Sequence, residues 1–350
     1  MNATQSSKRP SLLVFIACLL CLVLIVWQSR VERYRPYVEY FAASQDFLVV
    51  PIAEKGNGSG LLVHDRHSGK NIIVRSSKPF IASPWISNDG RRLLGVIGTE
   101  DRKRFELISC DLPGWACKVL FKTDHAIQFP VETSAGSVIF SASPLREGRY
   151  RPVFADFDFY LAGKDGNVRQ LSDSHFYQLR SLSAVGDHIL FSALGGHGIP
   201  DQLPSAESAS DIFEVGFDPI AEKLLFPDGM LKPLFSIGGY SIAPAASADG
   251  KFVAFLNTPP HIGPYRYDLV IAERGGEPVF RSAATETGLR RFSQPTFVGD
   301  DVFAFQIVAG TIKVTKIDAR ARTSAVVADI DISEWFLDSL PRLDVTTLSE

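Results

Sequence analysis

Apolar residues along most of this chain come in short runs, each closed off by Gly, Pro, Asp or Asn. LLGVI (93–97), SVIFS (137–141), HILFS (188–192), FVAFL (252–256) and VFAFQ (302–306) set the pattern. Runs of this length, rich in Val, Ile and Phe, read as β-strands rather than helices. Asp89-Gly90, Gly186-Asp187, Asp249-Gly250 and Gly299-Asp300 stand before such runs. These dipeptides tolerate the positive φ that a tight hairpin demands. A further strand follows each run and often ends in an acid, as in GLLVHD (60–65), FELISCD (105–111), DIFEVGFD (211–218) and TIKVTKID (311–318). A fourth strand then closes the unit: KNIIVR, CKVLFK, NVRQLS, KPLFS (232–236), EPVFR and SAVVA.

The unit repeats. SPWISNDGRRLLGVI (83–97) aligns with APAASADGKFVAFLN (243–257): Pro, Ser three residues on, Asp-Gly, a basic residue, an apolar strand. Segments 129–143, 180–194, 294–308 and 40–53 fit with more drift, which puts the turns near 46, 90, 136, 186, 250 and 301. A four-stranded unit cannot bury both faces alone, so six of them must stack side by side and close in a ring. The expected fold class is all-β: a six-bladed β-propeller of four-stranded antiparallel blades, preceded by one transmembrane helix.

That helix is the one departure from strand-length runs. Residues 12–27, LLVFIACLLCLVLIVW, are apolar throughout, with Lys8 and Arg9 before them and Arg30, Arg33 and Arg35 after. The run is short for a membrane span, and Trp27 with the flanking residues extends it at the interface. A cleaved signal peptide is the rival reading, but no small-x-small site follows the run. The expected organisation is a short cytosolic tail (1–11), a transmembrane signal anchor (12–29), a linker (30–36), the propeller (37–330) and a C-terminal tail (331–350). In that tail SEWFLDSL (333–340) has the pattern of a short amphipathic helix. The expected location is a bacterial-type inner membrane, single pass, with the bulk of the chain in the periplasm or otherwise outside the cytosol.

The motif P-x-x-S-x-D-G-(R/K), followed by an apolar strand and then a strand ending in Asp, resembles the repeats of TolB-type β-propellers over residues 37–330. The resemblance implies fold more than activity, and implies a protein-binding scaffold. It departs from TolB in having no separate α/β domain before the propeller and in keeping an anchor. Related propellers precede peptidase domains, but only about twenty residues follow the sixth unit here.

Composition changes this picture little. The net charge of −3 gives no polybasic footprint, so nucleic acid is not an expected partner. Cys110 and Cys117 flank DLPGWA, a Pro-Gly turn between two apolar runs, and an oxidising compartment would let them bridge.

No catalytic constellation is specific, and no cofactor or metal is expected. HDRH (64–67) reads as a solvated turn rather than a metal site. DFDFY (156–160) reads as outward-facing acids on a half-buried strand. The informative feature is loop length. The segments 143–156, 193–210 and 257–267, between second and third strands of three consecutive units, exceed what a hairpin needs. They carry Arg146, Arg149, Tyr150, Arg151, His197, Asp201, His261, Tyr265, Arg266 and Tyr267. Arg beside Tyr suits a flat, partly polar partner. The function expected is therefore a non-catalytic, membrane-tethered propeller that binds a protein partner or a glycan of the cell envelope, within a surface-polysaccharide or secretion assembly. The alternative is a propeller-fold carbohydrate-active hydrolase or lyase.

Overall fold

The computed structural model describes residues 34–36, 40–54, 58–80, 84–87, 89–99, 103–112, 114–146, 153–154, 156–163, 166–195, 210–235, 237–259, 267–282, 292–345 and 347–348. The apolar segment 12–27 lies outside these. Among the described residues no helix is long and apolar enough to cross a membrane.

The expected six-bladed propeller is what forms, with strands that pair antiparallel within each blade. Blade 2 shows the unit: Trp85–Ile86 lines the axis, and Arg92–Gly98, Phe105–Asp111 and Ala116–Thr123 step outward to the rim. Blades 3, 4 and 5 begin with the inner strands Ala126–Glu132, Gln178–Val185 and Tyr240–Ala246. Blade 6 runs from Thr296–Val298 to Thr323–Asp331. In blade 1 two pieces, Tyr34–Pro36 and Ala42–Ala43, pair with the same neighbour, Phe47–Glu54.

The repeat motif has a physical basis that blades 2 and 5 share. Ser87 Oγ donates to Asp89 Oδ1 and accepts from the Arg92 amide, while the Arg91 amide donates to Asp89 Oδ1. Ser247, Asp249, Lys251 and Phe252 repeat every one of these bonds. Gly90 (φ 68°) and Gly250 (φ 70°) sit in the left-handed region at the turn, where L side chains are strained. The hydroxyl donors of Ser87 and Ser247, then the backbone amides, hold Asp89 and Asp249 below the usual carboxylate range. The acids that end the third strands close the next turn: the Asp218 and Asp318 carboxylates each accept two amides just beyond them.

Blades are joined by apolar clusters, one at every interface around the ring. The interface between blades 3 and 4 is a stack of phenylalanines, with Phe159 and Phe191 edge to face at 5.0 Å. Ion pairs cross the same boundaries: Arg92 to Glu132, Arg274 to Glu214, Arg320 to Asp249.

Ring closure differs from blade to blade only at the seam. Among the described residues the four main strands of each blade come from one stretch of chain. Phe41, Leu48 and Ile52 of blade 1 meet Phe303, Phe305 and Val314 of blade 6, and Leu337 and Leu340 complete the cluster. Those leucines come from the helix Glu334–Ser339 and the residue that ends it, as the amphipathic pattern of 333–340 requires. The tail then lies along the rim. Arg342–Val345 pairs in parallel with the outer strand Asn71–Ser76 of blade 1, and Thr347–Leu348 with the outer strand of blade 2. Arg342 is 4.0 Å from Glu54 of blade 1 and 3.4 Å from Asp338.

One assignment is corrected. The outer strand of blade 4 is Lys223–Leu225, not KPLFS (232–236). Leu231 and Phe235 are buried between blades, so their apolar pattern reflects packing of a connection rather than strand pairing.

Candidate binding face

A propeller has two faces. On one lie the turns between first and second strands, which can be termed the hairpin face. On the other lie the connections between second and third strands and those between blades: the loop face. The three long segments identified from sequence emerge on the loop face, in blades 3, 4 and 5. Blade 6 spans the same interval with two residues between Asp301–Val308 and Thr311–Asp318. The segment 143–156 contains a hairpin of its own, Leu145–Arg146 paired with Val153–Phe154. Arg146 therefore sits on an ordered strand, not in an irregular loop. Arg149, Tyr150, Arg151, His197, Asp201, His261, Tyr265 and Arg266 lie outside the described residues. Tyr267 lies within them, and its ring packs against Tyr240 with centroids 6.3 Å apart.

Sequence gave no hint of what lies beneath these loops. In the inner strands of blades 3, 4 and 5 the pairing register slips: between Gln128 and Val131, between Arg180 and Ser183, and between Ile242 and Ala245. Each slip contains a non-glycine residue in the left-handed region: Phe129 (φ 49°), Ser181 (φ 55°) and Ala243 (φ 59°). Such bulges bend a strand and redirect side chains. Left-handed backbone at a residue with a Cβ costs on the order of 1–3 kcal/mol, so it persists only where surrounding structure enforces it. The same device at the same height in three neighbouring blades opens a recess of about 120 Å³ on the loop-face side of the channel. Tyr40, Phe129, Tyr267 and Phe292 line it together with Gln128 and Arg180.

The channel also opens on the hairpin face, into a wider cavity of about 370 Å³. Trp85, Thr133, Ser134, Ser183 and Gln294 line it, and Glu132 is its one carboxylate among the described residues. Glu132 is held by Arg92.

Acids also occupy the first positions of third strands on the loop face. Glu106 takes Lys78, and Asp268 takes Arg281 at 2.7 Å. Asp158 is buried, where DFDFY was read as outward-facing: its Oδ1 accepts Ser172 Oγ and the Ser174 amide, both at 2.7 Å. Asp158, Asp173 and His175 offer ligand atoms within 4.8 Å of one another. The bonds to Asp158 account for that cluster as closure of the connection from blade 3 to blade 4. Asp211 is different. Among the described residues its carboxylate meets only the amide of Ile212, and burial pushes it up to about 6. On the rim of blade 2 the sequence expectation of a bridge is met: Cys110 and Cys117 are bonded.

No family model matches this chain, and no curated protein sequence matches it. Solved structures do. TolB from Acinetobacter baumannii superposes with a TM-score of 0.55 at 17% identity, over 79% of this chain and 61% of that one. A puromycin hydrolase gives 0.54 at 14% identity, over 87% of this chain and 55% of that one. The acylaminoacyl peptidase of Pyrococcus horikoshii gives 0.51 at 14% identity, over 84% of this chain and 46% of that one. This chain thus spans less than two thirds of each. At these identities the likeness is one of fold: a six-bladed propeller structurally similar to TolB.

Proposed function

We propose that this protein is a non-catalytic binding propeller, tethered to a membrane by residues 12–27, that takes a protein partner or an envelope glycan on its loop face. One observation carries the reading. The blades whose inner strands are bulged, with Phe129, Ser181 and Ala243 held in left-handed backbone, are the blades that bear the long loops. Strain retained in three successive repeats, under the three insertions that break the repeat, is the combination expected of a ligand site on a rigid scaffold.

The tether fits this face. Tyr34–Pro36 pairs with Glu54–Ile52, so the chain enters blade 1 at the loop-face end. The six residues 28–33 between the apolar run and that strand reach at most about 20 Å. The loop face then looks toward the bilayer, with the propeller on the periplasmic side, and its partner is to be sought near the membrane surface.

The test replaces Tyr150, Arg151, Tyr265 and Arg266 together with Ala in the full-length chain. Partner capture from solubilised envelope is lost, while the melting temperature hardly moves, because exposed loop residues contribute less than about 0.5 kcal/mol each to folding. Equal recovery of the same partners by the variant and the parent would remove the loop face from consideration.

A further inference from the structure

The recess at the loop-face mouth is lined by a charged residue, Arg180, that no anion among the described residues answers. Arg66, Arg75, Arg92, Arg180 and Arg274 are the half-buried arginines among the described residues. Arg66 donates to the Ser44 and Gln45 carbonyls; Arg75 holds Glu54, Arg92 holds Glu132, and Arg274 holds Glu214. The Arg180 guanidinium has no such partner among the described residues, and Arg180 is one of the residues that line the recess. A partly desolvated cation left without an acceptor is costly, and each of the other four has one.

Its position is fixed. Ser192 Oγ donates to the Arg180 carbonyl at 3.1 Å, directly across the pair of strands. One blade earlier Ser141 Oγ donates in the same way to the Gln128 carbonyl at 3.2 Å. Arg180 and Gln128 thus occupy equivalent places, each just before a left-handed residue, and both line the same recess. In blade 5 the equivalent residue is Ile242, which faces the recess with Leu256 and Phe292. Among the described residues no carboxylate lines it. The lining therefore combines an arginine and a glutamine with aromatic and aliphatic side chains.

We propose that this recess binds a single carboxylate carried on an apolar or aromatic body. The proposal rests on the loop face being the ligand face and names the chemistry of what enters it. Arg180 takes both carboxylate oxygens, the geometry its planar fork is built for, and the Gln128 amide donates a further hydrogen bond. The aromatic and aliphatic side chains receive the body. Arg180 is the one cation among the described residues that line the recess, which favours a monoanion over a phosphate ester. The volume has room for about ten heavy atoms, the size of one terminal amino-acid residue or a small free acid. Those two sources share the chemistry and are separated by the test.

The test is calorimetric titration of the full-length protein with four probes: 3-phenylpropanoate, its amide, the peptide acetyl-Ala-Ala-Phe, and the same peptide with an amidated C-terminus. Both acids bind, and each amide is weaker by about tenfold or more. A peptide acid that binds more tightly than 3-phenylpropanoate identifies a polypeptide C-terminus as the source, and equal affinities identify a small free acid. Arg180→Met abolishes acid binding and Arg180→Lys restores part of it. Should Arg180→Met not fold, 3-phenylpropanoate must still protect Arg180 of the unaltered protein from phenylglyoxal. Amides that bind as well as acids, an Arg180→Met variant with undiminished affinity, absence of protection, or no binding of either acid at about 10 mM would overturn the proposal. The outcome is independent of the loop-variant test. Acid binding that survives while the loop variant still captures its partner rejects the loop face but keeps the recess.

Discussion

Asp211 and Asp268 hold the same place in consecutive blades, at the start of the third strand and opposite the penultimate residue of the second, yet only Asp268 has a cation. The reason is strand length. The outer strand of blade 5 extends far enough to set Arg281 opposite Val270, within reach of Asp268. The outer strand of blade 4 is Lys223–Leu225, and its pairing ends at Gly216. It stops short of Asp211, whose half-buried carboxylate has no counter-charge among the described residues.

A pH dependence follows from that difference. Burial raises the Asp211 carboxyl from 3.8 to about 6 on folding. The neutral form is favoured in the folded state, so the contribution of Asp211 is complete below its unfolded value and is lost as pH rises through about 6. Asp211→Asn should therefore raise stability by about 1–3 kcal/mol at pH 8 and leave it unchanged at pH 4. Denaturant melts at the two pH values check this, and an equal gain at both would contradict it.

The disulfide should be worth a modest amount. Cys110 and Cys117 are direct cross-strand partners with Cα atoms 3.9 Å apart. The loop they close is short, so the expected loss on Cys110→Ser with Cys117→Ser is about 2–3 kcal/mol by loop entropy. The parent should resist alkylation of both thiols until reduced. Mass spectrometry of unreduced protein with both thiols labelled would rule the bridge out.

Leu337 is fully buried in the seam between blades 1 and 6. Leu337→Ala should cost about 2–4 kcal/mol. Hydrogen exchange should then rise first in Asn71–Ser76 and in the strands of blade 6, not in blades 3 and 4. A uniform rise around the ring would mean that the seam is no weaker than other interfaces.

Ser181 pays conformational strain at φ 55°. Ser181→Gly relieves it and should stabilise the fold by about 0.5–1 kcal/mol, less whatever the unfolded chain gains in freedom. Thermal melting measures the change; a loss of stability would show that the left-handed residue is not strained.

The blades were legible because their turns are chemically explicit: Ser87-Asp89-Gly90 and Ser247-Asp249-Gly250 state their hydrogen bonds in the sequence. The long loops were legible as length. The bulges were not, since Phe129, Ser181 and Ala243 carry no local preference for left-handed backbone. The ring enforces that conformation. Arg180 looked like an ordinary strand residue for the same reason: its isolation depends on what the neighbouring blades do not supply. Blade 4 misled because Leu231 and Phe235 are buried without pairing. The tail helix was readable from its amphipathic pattern, but parallel pairing of Arg342–Val345 with a strand near the other end of the chain leaves no local trace.

Because every blade is drawn from one continuous stretch of chain, the order of synthesis is also the order of assembly. Blade 1 can form as soon as it emerges, and each later blade docks on a finished neighbour. Until the last residues arrive, the molecule is an arc with two unlike apolar ends, Phe41 and Leu48 at one and Phe303 and Phe305 at the other. Those ends fit each other, and they fit the opposite ends of a second arc equally well. The tail settles which happens, since it binds across the seam within its own chain. A chain cut short before Glu334 should therefore be found partly as head-to-tail chains of arcs rather than as closed rings.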